Sequence, residues 1–445
     1  MRKRSSILLV TALVASLMAV PVTGQAAATS GELTDLCEEL FGGVFDAPNS
    51  ETFGPCQWDM AIINADGSAA TGDGVTVGVI DSGVDFNHID IAANLNVDLS
   101  CSFIFDDTPT ALPVEVANGD CSNKAAVQDY GDHGTHVAST IAAPINGVGI
   151  AGVAPEATLV ALKACTAVGY CFADSVAAAL RYAGDVGIDI VNLSLFADPY
   201  LYYCKNEAAQ RAILKEIESA ARYAEQRGVL IVTSAGNELA DLQHPGVDDI
   251  SPDWPPGSEE VRDVGNNCRV APTELPGALT VSATGPIGYP GYDLWIADYS
   301  SVGMSRVDVT APGGDYFQAT GTVQDAVLGA MSSTSDPVAG IWDFFDTIYE
   351  PVYTGMTALD GGYRYGYLNG TSMSSPHAAG VAALVKEMHP NWGPGAVKAA
   401  VQRSAQHLDC PTVQFDGDPR RCFGKGGRTS FFGHGLVDAA AAAAS

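Results

Sequence analysis

The chain has 445 residues, of which 47% are hydrophobic and 17% are charged, and it contains 48 glycines. This composition is typical of a globular protein with a sizeable core, and it excludes a chain that is disordered throughout. With 52 acidic and 22 basic residues the formal net charge is −30, which disfavours nucleic acids and anionic membranes as partners.

The N-terminus begins with a basic stretch, residues 2–4, followed by an apolar run of about fifteen residues and then by small residues. The pattern predicts a secretory signal peptide over residues 1–28, cut between Gly24 and Ala28. A membrane anchor is disfavoured because the apolar run is short and Pro21 follows it. No later stretch is apolar for long enough to span a bilayer, so we expect a secreted, extracellular protein without a membrane span.

Short apolar runs alternate with helical patterns after residue 57. The predicted strands are 74–80, 158–164, 187–195, 228–236 and 278–285. Between them, residues 173–187 and 206–228 carry the periodicity of amphipathic helices. The alternation predicts an α/β fold in which a mainly parallel central sheet is covered by helices on both faces.

Three stretches interrupt this alternation and are predicted as surface insertions, because they are rich in Gly, Pro, Asp and Ser: residues 98–130, 240–270 and 315–362. The remaining organisation is a short N-terminal extension over residues 29–57 and one α/β domain over residues 58–445. An alanine run at 439–444 is predicted as a terminal helix.

Ten cysteines in an exported chain predict a disulfide framework rather than a metal site, since no CxxC pair is present. They fall into close sequential neighbours, and we predict five bridges between them: Cys37 and Cys56, Cys101 and Cys121, Cys165 and Cys171, Cys204 and Cys268, Cys410 and Cys422.

Three motifs place reactive side chains at the ends of predicted elements. Asp81 ends the apolar strand in "GVTVGVIDSGVD", His133 precedes a small-residue helix in "DYGDHGTHVAST", and Ser372 does so in "NGTSMSSPHAAG". Each motif alone has a simpler explanation: a turn-forming aspartate, a weak HxxH metal pattern, or a serine that caps a helix. Together they supply a nucleophile, a base and a carboxylate in one chain.

The three phrases "VIDSGVD", "HGTHVAST" and "NGTSMSSPHAAG" resemble the active-site signatures of the subtilisin-like serine peptidases, or subtilases, in the order of that family's triad. The resemblance continues through "VAPEATLVALKA", "VNLSL", "SAGNE", "VDVTAPGG" and "GHGLVDAAAA" and covers about residues 57–445. It implies a subtilisin-like three-layer α/β fold and a secreted serine endopeptidase.

By resemblance, Ser372 is the nucleophile, His133 is the general base, and Asp81 orients the imidazole and stabilises its cation. Asn237 in "SAGNE" resembles the family's side-chain oxyanion donor, with the backbone N–H of Ser372 as the second donor. No cofactor is required for this chemistry. The neighbouring His136 and His377 are interpreted as packed structural residues.

The resemblance also implies a groove that binds an extended peptide, with "NLSL" at 192–195 as one wall and "AVGYC" at 167–171 as the other. The substrate-binding residues predicted from these walls are Gly169, Ser194, Leu195 and Phe196. Subtilases commonly have glycine after "SL", so Phe196 leads to the hypothesis of a narrowed primary pocket that prefers small or unusual residues.

The segment "INGVGIAGVAP" at 145–155 resembles a calcium-binding loop of the family, with Asn146 and Asp90 as its candidate side-chain ligands. The alternative is a loop that is capped by these two side chains without a metal. The sequence leaves both readings open.

The sequence also bears on two functions other than an endopeptidase. An esterase of the α/β-hydrolase type is disfavoured because its GxSxG elbow is absent ("GTSMS") and its triad has a different order. A catalytically latent binding or surface protein on a subtilase scaffold remains open, since bulky insertions could occlude the groove. We expect a monomer that acts on protein or peptide substrates.

Overall fold

The structure is a computed structural model that describes residues 28–42, 46–286, 296–315, 320–334, 353–411 and 420–445. Apart from its last residue, the predicted signal peptide lies outside the described residues. The same is true of 316–319 and 335–352, which belong to the third predicted insertion.

The strands, numbered along the chain, are β1 Ala28–Thr29, β2 Thr76–Asp81, β3 Cys101–Ser102, β4 Thr158–Lys163, β5 Ile190–Leu193, β6 Tyr202–Cys204, β7 Leu230–Ser234, β8 Val247–Asp248, β9 Arg262–Asp263, β10 Cys268–Val270, β11 Leu279–Thr284, β12 Val309–Pro312, β13 Val327–Met331, β14 Tyr353–Asp360, β15 Tyr363–Leu368, β16 Gly424–Lys425 and β17 Arg428–Thr429. The α-helices are α1 Ser30–Phe41, α2 Trp58–Ile62, α3 Ile89–Ala92, α4 His133–Ala142, α5 Ala173–Val186, α6 Ala208–Gln226, α7 Thr371–Met388, α8 Pro394–Ser404 and α9 Ala439–Ala443.

A seven-stranded sheet forms the centre of the fold, in the order β12-β11-β7-β5-β2-β4-β3. Every neighbouring pair in this sheet is parallel, so all the carboxyl ends of its strands lie at one edge. That edge is where ligand sites form in open parallel sheets.

The two faces of the central sheet bury separate cores. In β2, Val77 and Val79 belong to a buried cluster with residues of α4 and α7, whereas Ile80 belongs to a second cluster with residues of α5 and α6. Successive side chains of a strand point to opposite faces, so this division places helices on both sides of the sheet. The predicted fold class, mainly parallel α/β with helices on both faces, is confirmed.

The five predicted strands are present as β2, β4, β5, β7 and β11, each shorter than predicted. The sequence analysis did not predict β12 at one edge of the sheet or the short β3 at the other. It also missed a four-stranded sheet, β1-β14-β15-β13. Strand β13 is buried along its whole length within the range predicted as a surface insertion, because the run "VLGAM" is apolar although its surroundings are not.

All five predicted cysteine pairs are joined in the structure. The Cys37–Cys56 bridge ties α1 to the segment before α2, and Leu33, Cys37 and Phe41 of α1 lie in the same buried cluster as residues of β2. The predicted N-terminal extension therefore packs into the core.

The terminal helix predicted from the alanine run is present as α9. Within the described residues, none of the helices combines the length and the apolar character that a membrane crossing requires.

Candidate active site

Asp81 and His133 are in direct contact at the carboxyl edge of the central sheet. Asp81 is the last residue of β2, and its side chain is 2% exposed. His133 is the first residue of α4, and its Nδ1 lies 2.7 Å from Asp81 Oδ1. Because an ionised carboxylate only accepts hydrogen bonds, the proton of a neutral imidazole sits on Nδ1 and leaves Nε2 as the basic atom.

The close approach of β2 and α4 depends on Gly134. A Cβ on this residue would lie 2.1 Å from Gly83 O and 3.2 Å from Asp81 Oδ1. Any other residue would push α4 away from the turn that follows β2. The preceding Asp132 has φ of 67°, a left-handed conformation that few residues other than glycine adopt, and its carboxylate accepts the N–H of Ser332 at 2.7 Å.

The environment of His133 favours its protonated form. Burial opposes the charge, but the charge of Asp81, the hydrogen bond to it and the charge of Asp129 outweigh burial and raise the pKa of His133 above its usual value. The imidazolium is therefore stabilised at the point where a general base acquires its proton.

Asp129 connects the Asp81 turn with the start of α4, and the sequence reading did not single it out. Its Oδ1 accepts the Ser82 hydroxyl at 2.9 Å and the Gly131 N–H at 2.8 Å, and its Oδ2 accepts both the N–H and the hydroxyl of Thr135. Ser82 Oγ in turn accepts the N–H of Gly134 at 2.9 Å. In the sequence, Asp129 could have been singled out only by its position four residues before His133.

Ser372 is the second residue of α7, whose N-terminal end lies at the same edge of the sheet. Helices α4 and α7 pack side by side. Within the described residues, Ser372 Oγ makes one hydrogen bond, to the carbonyl oxygen of Ser194 at 3.3 Å. Ser194 Oγ donates to Ser372 O and also contacts Ser375 Oγ, each at 2.8 Å, so the serine is tied to the segment that follows β5.

Asn237 follows β7 and is fixed by Thr371. Its Oδ1 accepts the N–H of Thr371 at 2.9 Å and the Thr371 hydroxyl at 2.8 Å, which leaves Nδ2 to face elsewhere. A Cβ on Gly370 would lie 3.5 Å from Asn237 Nδ2 and 3.6 Å from the nitrogen of Ser372. The two predicted oxyanion donors thus border the same space.

The residues predicted to bind substrate lie on two segments near this site. Ser194 and Leu195 are buried after β5, whereas Gly169 is exposed in the loop closed by the Cys165–Cys171 bridge. That loop is tightened by a hydrogen bond from the N–H of Thr166 to Tyr170 O at 2.8 Å.

The second predicted insertion, 240–270, packs against both of these segments. Phe196 is half-buried against a cluster that includes Leu242 and Val264. On the other wall the ring of Trp254 lies 5.4 Å from that of Tyr170. The insertion therefore shapes the surroundings of the predicted groove.

The other two histidines near the motifs are fully buried and contact backbone carbonyls or a buried carboxylate. His136 Nε2 contacts Val327 O at 3.1 Å, and burial lowers the pKa of this histidine to about 3. His377 contacts Met373 O through Nδ1 and Asp59 Oδ2 through Nε2, with both side chains fully buried. These contacts agree with their interpretation as packed structural residues.

The loop resembling a calcium site is held by carboxylates that accept hydrogen bonds. Glu51 Oε2 accepts the backbone N–H groups of Asn146, Gly147 and Val148 at 2.7–3.1 Å. Asp90 Oδ1 accepts the side-chain amide of Asn146 at 2.9 Å. Asp90 Oδ2 accepts the N–H of Ile150 at 3.1 Å and the hydroxyl of Tyr365 at 2.7 Å.

This arrangement does not fit a calcium ion, which prefers six to eight inward-facing oxygens. Asn146 presents its nitrogen to Asp90, while its own oxygen accepts the N–H of Val148. Of the four carboxylate oxygens of Glu51 and Asp90, one, Glu51 Oε1, is buried without a hydrogen bond. Across the described residues, no group of three or more His, Cys, Asp or Glu side chains could hold a metal ion.

We expect the thermal midpoint of unfolding to be the same in millimolar calcium and in a chelator, because the loop is closed by hydrogen bonds to Glu51 and Asp90. Thermal scans at fixed ionic strength measure this. Asp90→Asn is the matched control for the site. A thermal midpoint that is higher in calcium for the wild type but not for Asp90→Asn would contradict this expectation and support a calcium site at the loop.

Comparison with known proteins matches residues 72–435 to the Subtilase family, Peptidase_S8. M-protease of Shouchella clausii (strain KSM-K16) is 30% identical over 372 residues, which is 84% of this chain and 65% of that protein. Subtilisin Savinase of Lederbergia lenta is also 30% identical over 372 residues, with 84% of this chain and 91% of that protein covered. The chain thus spans just under two thirds of the first relative and most of the second.

Solved structures share the fold. EpiP, the epidermin leader peptide processing serine protease from Staphylococcus aureus, has a TM-score of 0.60 at 21% identity, covering 89% of this chain and 82% of that one. Fervidolysin from Fervidobacterium pennivorans, a keratinolytic enzyme related to subtilisin, has a TM-score of 0.56 at 24% identity, covering 89% of this chain and 46% of that one. With a family match over most of its length, the chain belongs to the subtilase family of serine peptidases.

Proposed function

We propose that the protein is a secreted serine endopeptidase that hydrolyses peptide bonds through an acyl-enzyme intermediate. The observation that carries this proposal is the 2.7 Å hydrogen bond between buried Asp81 and His133, beside two donors that border one space next to Ser372. The proposed domain extends over residues 58–445. The signal pattern and five disulfides support export to an oxidising environment.

In the proposed mechanism, Ser372 Oγ attacks the carbonyl carbon of the scissile peptide bond while His133 Nε2 accepts its proton. In the structure the Ser372 hydroxyl donates to Ser194 O, so the mechanism requires it to exchange this hydrogen bond for one to His133 Nε2. The imidazolium that forms is stabilised by Asp81, which also keeps the Nδ1 proton in place. His133 then gives its proton to the leaving amine as the C–N bond breaks.

The ester of Ser372 is hydrolysed by the reverse sequence. A water molecule loses a proton to His133, attacks the acyl carbon, and releases the new carboxyl terminus as Ser372 regains its proton. In both halves the tetrahedral oxyanion accepts hydrogen bonds from Asn237 Nδ2 and the N–H of Ser372. The latter also lies at the positive end of the α7 dipole.

Peptide substrates are proposed to bind as an extended strand between residues 192–195 and 167–171. Because Phe196 stands where subtilases commonly have glycine, the proposed groove is narrower at its primary pocket; in the structure Phe196 packs against the insertion at 240–270 and Tyr170 contacts Trp254 of that insertion. A latent binding protein remains the second candidate, because the same insertion packs against both walls.

The rate of peptide hydrolysis should rise as pH increases through the pKa of His133, because only the neutral ring can accept the serine proton. Since the net effect of its neighbours is to raise this pKa, the acidic limb of the kcat/KM profile should have its midpoint above 6.5, the value for an unperturbed histidine. Steady-state assays with a fluorogenic peptide library from about pH 4 to 10 would measure it.

Ser372→Ala should be inactive at every pH, so any hydrolysis in that sample reveals a contaminating protease. Ser122→Ala, on an exposed loop, should have the same pH profile as the wild type. A midpoint well below 6.5 would contradict the role given to Asp81 and Asp129. Absence of hydrolysis in well-folded protein would favour the latent candidate.

Substituting Asn237→Ala should lower kcat about 100- to 1,000-fold with a small change in KM, because the lost amide stabilises the oxyanion and not the bound substrate. Kinetics at saturating peptide would measure the effect. Asn237 Oδ1 also holds Thr371, so Thr371→Val serves as the control for that structural contact. An equal loss in both variants would show that the amide only positions α7.

A further inference from the structure

A buried ion pair lies directly behind the Asp81 turn. Lys163, the last residue of β4, has its Nζ 2.7 Å from Glu115 Oε1, and both side chains are fully buried. Lys163 is in register with Asp81 on the neighbouring strand. Glu115 comes from the first predicted insertion, 98–130, so this insertion reaches the interior next to the site.

Lys163 joins the two chain segments that carry the site. Its ammonium donates to Ser82 O, immediately after Asp81, and to Gln128 O at 3.2 Å, immediately before Asp129. The two segments are in close contact, since a Cβ on Gly83 would lie 2.3 Å from Val127 O. One side chain therefore fixes the spacing between the Asp81 turn and the segment that leads to His133.

Glu115 is itself held by its own insertion. Its Oε2 accepts the N–H of Leu112 at 2.9 Å, and its carbonyl oxygen accepts the hydroxyl of Ser102, which follows Cys101 of the Cys101–Cys121 bridge. The ring of Tyr130 lies 5.6 Å from Lys163 Nζ and covers the pair from another side. The carboxylate is thus a fixed counter-ion and not a mobile surface group.

A buried ion pair of this kind contributes little by itself to the free energy of unfolding. Desolvation of two charges offsets much of their attraction, and replacing both partners by apolar residues is often neutral or stabilising. Here the ammonium also supplies directed hydrogen bonds to two carbonyl oxygens, which no apolar side chain can replace. A matched apolar replacement would therefore lose the geometry of the turn after β2.

We propose that Lys163 and Glu115 are positioning residues of the active site, which fix the turn after β2 so that Asp81 meets His133. The inference rests on the proposed peptidase mechanism. Neither residue touches the reacting atoms: Lys163 acts through Ser82 O, and Ser82 donates its N–H to Asp81 Oδ1 at 2.7 Å. The first insertion thereby has a role in catalysis although it lies outside the motifs.

The test replaces both charges together, as Lys163→Met with Glu115→Met. The thermal midpoint should fall only moderately, because no charge is left unpaired although Ser82 O, Gln128 O and the N–H of Leu112 each lose a hydrogen bond. Per active site titrated with a fluorophosphonate, kcat should fall about 10- to 100-fold with KM nearly unchanged, because small misplacements of catalytic groups are costly. Full kcat in the double variant would overturn the proposal.

The matched control is the pair Lys398 and Asp308, where a lysine is again paired with a carboxylate and donates to a backbone carbonyl, that of Ala278. Ala278 immediately precedes β11 and Asp308 immediately precedes β12, so these contacts lie at the amino edge of the sheet. Lys398→Met with Asp308→Asn should leave kcat per titrated site unchanged. A loss equal to that of the first double variant would mean that any ion pair of the fold affects kcat, and would overturn the proposal.

A second measurement does not depend on hydrolysis. The His133 Nδ1 proton that bonds to Asp81 should give a far-downfield proton NMR signal in wild type and in Ser372→Ala. In Glu115→Gln, which keeps the side-chain shape, this signal should shift or broaden; an unchanged signal overturns the positioning role. If the wild type shows the signal but no hydrolysis, the proposed function fails while the positioning claim is still tested.

Discussion

The hydrogen bond between Asp81 and His133 is the contact on which the site depends, and two elements must meet closely for it to form. A buried carboxylate at the end of β2 would be costly without a partner, and the imidazole supplies one at 2.7 Å. The parallel sheet brings the ends of β2, β5 and β7 to one edge, where α4 and α7 begin. Ser194 and Asn237 then connect β5 and β7 to the start of α7.

Close packing at the carboxyl edge of the central sheet fixes the positions of Asp81 and His133. Gly134 and Gly83 leave no room for a side chain where α4, the Asp81 turn and residues 127–128 meet. Polar side chains fill the same region with directed bonds: Asp129 links Ser82 to Thr135, and Lys163 links Ser82 O to Gln128 O. These contacts hold His133 in place, while the Ser372 hydroxyl makes a single hydrogen bond among the described residues, to Ser194 O.

Much of the fold and of the candidate site could be predicted from the sequence, because the informative patterns lie within short stretches of the chain. Apolar runs identified five of the seven strands of the central sheet, and sequential spacing was enough to pair the cysteines. Strand β13 was missed because its apolar run stands among turn-forming residues, and β3 because it has two residues. Glu115 and Lys163 are 48 positions apart and carry no motif, so only the fold brings them together. Asn146 and Asp90 do meet, but through a donor and an acceptor and not as two ligands.

The most direct test of the central claim is covalent labelling of purified protein with a fluorophosphonate, followed by intact mass and peptide mapping, beside Ser372→Ala. The account predicts one adduct on the wild type, located on Ser372, and none on the variant. The labelling rate should increase with pH as His133 loses its proton. No adduct on folded wild-type protein, or an adduct on another serine, would contradict an assembled Asp81, His133 and Ser372 triad.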